Sequence, residues 1–71
     1  MEFRYHPVRV RETREGTRFR IGRLTAIYSG DAEDVSHLVD RTYDYASPRE
    51  LRWHLAERFA MPVAAVTLSG L

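Results

Sequence analysis

Residues Phe3 to Tyr28 read FRYHPVRVRETREGTRFRIGRLTAIY, two alternating apolar arms around a turn at Thr13-Arg14-Glu15-Gly16. In the first arm Phe3 and Tyr5 occupy odd positions, Pro7 intervenes, and Val8 and Val10 continue on even ones. In the second, Phe19 and Ile21 precede Gly22, and Leu24, Ala26 and Tyr28 follow it. If Glu12 faces Thr17, the partners are Val10–Phe19, Val8–Ile21, Pro7–Gly22, Tyr5–Leu24 and Phe3–Ala26. All apolar pairs then share one face, and the two phase changes meet at Pro7/Gly22, where a bulge or bend is expected. A one-residue slip would turn one arm inside out, so the two patterns support each other.

The same register puts Arg9 opposite Arg20, Arg11 opposite Arg18, and Arg23 beside His6 on the outer face. Like charges across a ladder oppose pairing by up to about 1 kcal/mol. These five arginines are therefore the candidate binding residues, for an acidic protein surface or a phosphate backbone, unless the chain's own carboxylates answer them.

The C-terminal part reads less evenly. Asp31 can cap a helix over about 32–43, in which Val35, Leu38, Val39 and Thr42 recur at helical spacing. Asp31, Glu33 and Asp34 then belong to its first turn, not to a metal site. The β-branched and aromatic content of Val39 to Tyr45 allows the alternative of residues 36–45 as a third strand of a meander. Ser47-Pro48-Arg49-Glu50 carries an N-cap, an N1 proline and a capping-box glutamate, predicting a helix over about 48–60 that Pro62 stops. Val63 to Leu68 reads as a strand. The expected architecture is α+β, one domain over residues 1–71: the hairpin and a C-terminal strand in a small antiparallel or mixed sheet, two helices on one face. The meander alternative has the single helix 48–60. Tyr45 and Trp53 fall off the apolar stripes and are the candidate exposed interface aromatics.

A chain of 71 residues buries only about 60% of its unfolded surface. With no cysteine to brace it, self-association as a homodimer is the expected support. The net charge of +1 is polarised: residues 1–28 hold seven Arg against three acids, residues 29–71 four Arg against seven acids. The exclusive use of Arg over Lys is read first as codon bias in a GC-rich bacterial or phage genome and only second as anion recognition. His6, His37 and His54 share no local spacing, so neither a catalytic centre nor a metal or cofactor site is expected. No apolar run suggests a leader or a membrane span, and the cytoplasm is the expected compartment.

Leu55-Ala56-Glu57-Arg58-Phe59-Ala60 with Val66 resembles the spacing of a helix-turn-helix over residues 51–71. Ala60 takes the usual glycine place, and Ser69 stands where an apolar anchor belongs. The leading expectation is a non-enzymatic interaction protein whose basic hairpin face and exposed aromatics bind a protein or a second copy of itself. The alternative is a nucleic-acid-binding regulator using the arginine ribbon or the C-terminal helical segment. No small-molecule ligand is indicated.

Overall fold

The computed structural model describes residues 1–70. Strands β1 (Glu2–Thr13) and β2 (Gly16–Tyr28) form the hairpin, followed by β3 (Asp31–Asp34), a 3-10 turn at Ser36–Leu38, helix α1 (Pro48–Arg58), a second 3-10 turn at Val63–Ala65 and β4 (Thr67–Gly70). The sheet is four-stranded and mixed, in the order β3-β2-β1-β4, with β4 parallel to β1. The fold is thus α+β with one α-helix.

Both ends of the hairpin keep the expected register: Phe3 faces Ala26, Tyr5 faces Leu24, Arg11 faces Arg18 and Glu12 faces Thr17. The middle does not. Gly22 is an extra residue on β2, because His6 faces Arg23 while Pro7 faces Ile21. The slip is undone on β1, where Val8 faces Arg20 and Arg11 faces Arg18, leaving Arg9 and Val10 against Phe19 alone. Arg9 takes a φ of 51° at this second bulge. Two offsetting bulges thus replace the single level expected at Pro7/Gly22. Gly22 has no unusual φ; a Cβ there would lie 2.6 Å from Cγ1 of Val8, so close packing is what demands glycine.

Residues 31–34 are not helical. Ser29 and Gly30, with φ of 49° and 79°, make a two-residue turn between Tyr28 and its partner Asp31. Positive φ at both central positions matches the twist of a hairpin, and it carries the chain back along β2 before a helix can start. The acids of β3 therefore lie on an exposed sheet edge, where charge discourages further pairing. Val35 N–H then donates to Leu24 O at 2.8 Å, and Ser36 Oγ accepts from Leu24 N–H at 2.8 Å. Beyond the 3-10 turn, one bridge pairs Tyr45 with Phe19 through bonds of 3.1 and 2.7 Å. The helix expected over 32–43 is absent. The single helix of the meander alternative fits, but its third strand is Asp31–Asp34 and not 36–45, where the reversal at Ser29-Gly30 leaves a 3-10 turn and the one Tyr45 bridge.

Helix α1 begins as its cap signal implies: Pro48 is N1, and Ser47 Oγ accepts from Glu50 N–H at 3.3 Å. Glu50 reaches back to Ala46 N–H at 2.8 Å, one residue beyond the expected box partner. At the other end Ala60 N–H donates to Glu57 O and Met61 N–H to Ala56 O, with Ala60 at φ 53°. This is a Schellman cap with alanine where glycine is usual. The chain continues as a 3-10 turn and a strand, so the helix-turn-helix spacing has no second helix among the described residues; Leu71 lies outside them.

The core gathers Phe3, Tyr5, Phe19, Ile21, Leu24 and Ala26 from the hairpin with Leu51, Leu55 and Ala56 of α1, joined by Val35, Tyr45 and Val66. Among the described residues no helix is long and apolar enough to cross a membrane.

Candidate interaction surface

The arginine ladder is largely answered from within. Arg11 Nη2 lies 2.7 Å from Asp44 Oδ2, and Arg20 Nε lies 3.1 Å from Asp44 Oδ1. Arg18 is 3.4 Å from Glu15, and Arg23 is 3.8 Å from Asp34. The Phe19–Tyr45 bridge accounts for Asp44, since the residue before an inward Tyr45 projects to the arginine face of β2. The hydrogen bond from Arg20 holds the Asp44 carboxyl below the usual carboxylate range; desolvation opposes it and the Arg11 charge adds to it. Exposed pairs of this kind stabilise a fold little. Their consequence is electrostatic: one carboxylate occupies two guanidinium groups that were candidates for an external anion.

Arg9 stands apart. It is exposed on the bulge, faces no arginine, and among the described residues has no carboxylate within 4.0 Å. Arg11–Arg18 is the one expected arginine pair that the register retains.

The two candidate aromatics diverge. Trp53 is 58% exposed, whereas Tyr45, expected to be exposed, is 1% exposed. Tyr45 sits among Phe19, Tyr43 and His54, with ring centroids at 5.8, 4.7 and 5.2 Å. Its hydroxyl lies 3.3 Å from His54 Nδ1, and burial pushes its pKa up to about 12. A helix over 32–43 would leave Tyr45 beyond its end, but a strand-like bridge turns the side chain inward. Tyr43, 36% exposed, donates from its hydroxyl to Glu50 at 2.9 Å.

Sequence reasoning missed Asp44 and the open edge of the sheet. The strand alternative for 36–45 carried the signal for Asp44, because Tyr43 and Tyr45 facing inward put the acid between them outward. The edge is a consequence of unequal strand lengths: β4 pairs only with Glu2–Tyr5, leaving β1 from His6 onward without a neighbour on that side among the described residues. A groove of about 430 Å³ opens on the core side of this uncovered stretch, lined by Tyr5, Pro7, Val10, Phe19 and Pro48 among others. Val10 is on the apolar side, as its alternation implies, but 59% exposed because none of the described residues covers it. A second groove of about 390 Å³ lies between β4 and the start of α1 and shares Pro48 with the first. A third, of about 480 Å³, lies beside Trp53, Met61 and Pro62. Comparisons with known protein families, with curated proteins and with solved structures return no match to this chain.

Proposed function

We propose that the protein is a small non-enzymatic interaction protein that binds another protein chain, a second copy of itself included. The observation that supports this most is the contrast between occupied charge and open apolar surface. Asp44 engages Arg11 and Arg20 together, while Val10 and Trp53 stand 59% and 58% exposed. Exposed aromatic and aliphatic anchors beside grooves suit protein recognition. A nucleic-acid ribbon instead needs its guanidinium groups free to displace counterions. The contact surface on this reading is the apolar side of the sheet edge, with Arg9 at its rim, and Tyr45 belongs to the support beneath it.

Two measurements test the reading. Light scattering at high micromolar concentration reports self-association; a monomer there removes the homodimer form and leaves a different partner chain. Titration with duplex DNA and with RNA at low salt is expected to give weak binding at most. Tight binding that falls steeply with salt would overturn the protein-binding reading in favour of the arginine ribbon.

A further inference from the structure

We propose that the trough between the open edge of β4 and helix α1 takes an extended, acidic segment of a partner protein as an added strand. The inference rests on the protein-binding reading above and supplies its partner chemistry. Thr67 N–H donates to Met1 O at 2.9 Å, so Thr67 and Ser69 turn their backbone groups toward β1. By strand alternation, Leu68 and Gly70 present theirs away from it, where no further strand lies among the described residues. Those groups are a template for β-augmentation.

The flanking wall sets the chemistry. Pro48 and Leu68 offer apolar contact within the trough, and Arg49 and Arg52 of α1 line it. Arg52 spends its Nε on Val63 O at 3.1 Å, and among the described residues neither arginine has a carboxylate within 4.0 Å. A strand laid on β4 would send alternate side chains toward α1, where carboxylates meet two guanidinium groups that no carboxylate among the described residues answers. The opposite edge, β3, carries Asp31, Glu33 and Asp34 and would repel the same segment. Pro48 also lines the groove beside Pro7 and Val10, which offers the segment an apolar continuation.

The test is selection of a displayed random peptide library on the full chain, followed by anisotropy and amide chemical-shift mapping with the enriched peptide. Enriched sequences are expected to alternate Asp or Glu with Val, Ile, Leu or Thr, and the largest shifts to fall on Leu68 and Gly70. Arg49→Glu with Arg52→Glu should weaken binding by roughly tenfold or more, with an unchanged circular dichroism spectrum. Arg49→Glu alone, at an exposed position, covers the case in which losing the Arg52–Val63 bond perturbs folding. Neutral or basic enriched peptides, or no enrichment, would overturn the inference. Shifts centred on Trp53 and Met61 with affinity indifferent to Arg49→Glu would overturn it too, while leaving the protein-binding reading intact.

Discussion

The two ends of the β1–β2 hairpin carry the same alternation of apolar and charged residues and meet opposite fates. Near the chain start, Phe3, Tyr5, Leu24 and Ala26 are buried beneath α1, with β4 beside β1 and β3 beside β2. Toward the tip, Val10 is exposed, β1 has no outer neighbour among the described residues, and the outer side of β2 meets Tyr45 by a single bridge. Alternation therefore marks which face is apolar, and burial depends on whether another element reaches that far. On the protein-binding reading, the covered end supplies stability, and the uncovered end and the open edge of the sheet supply surface for recognition.

The sharpest break in this comparison is a pair of truncations. Phe3→Ala, at a fully buried position, should cost about 3–5 kcal/mol. Val10→Ala, of the same apolar pattern, should stay within about 0.5 kcal/mol. Urea unfolding of both variants checks the contrast, and equal losses would erase it. Next in size is Gly22→Ala at the first bulge. The new methyl meets Val8 Cγ1 and should cost about 1–3 kcal/mol. Val8→Ala in the same chain should restore much of that, which a double-mutant cycle measures. Ala60→Gly relieves a left-handed alanine at the cap of α1 and should raise stability by about 0.5–1 kcal/mol, read as a higher melting temperature.

The smallest effect is a change of slope with pH. Hydrogen bonds from Ser36 to Asp34, from Thr42 to Asp40, from Arg20 to Asp44 and from Ala46 N–H to Glu50 hold these carboxyls below their usual values. Carboxyls of the unfolded chain titrate at about 4. Above that range both states are ionised and the stabilisation is complete. As pH falls the unfolded chain takes up protons first, so stability declines until the folded carboxyls are protonated as well. Asp44→Asn should make this acid limb shallower in denaturation curves recorded at a series of pH values.

Much of the hairpin was legible because its two arms constrain each other: apolar phase and turn position together force Phe3 onto Ala26 and Glu12 onto Thr17. The cap of α1 was legible because Ser47, Pro48 and Glu50 act within one turn. Other features depended on facts that single-residue patterns do not carry. The expected helix over 32–43 gave way to β3 because Ser29-Gly30 closes a hairpin, a signal that acts before Asp31 can serve as a cap. The slip at Gly22 was signalled by the phase change there, but the compensating bulge at Arg9 depends on that slip and has no mark of its own in either arm. The exposed position expected for Tyr45 fails and the role of Asp44 is missed for one reason, since the Tyr45 bridge to Phe19 determines where both side chains go.

Asp44 draws Arg11 and Arg20 to itself, and on the protein-binding reading this leaves recognition to the apolar edge. Carbon-detected NMR titration of the Asp44 side-chain carboxyl tests that division directly. The expected result is titration below the usual aspartate range, moving back toward it in Arg20→Gln. An ordinary aspartate titration, unchanged by Arg20→Gln, would contradict this division, leaving the guanidinium groups free for an external anion.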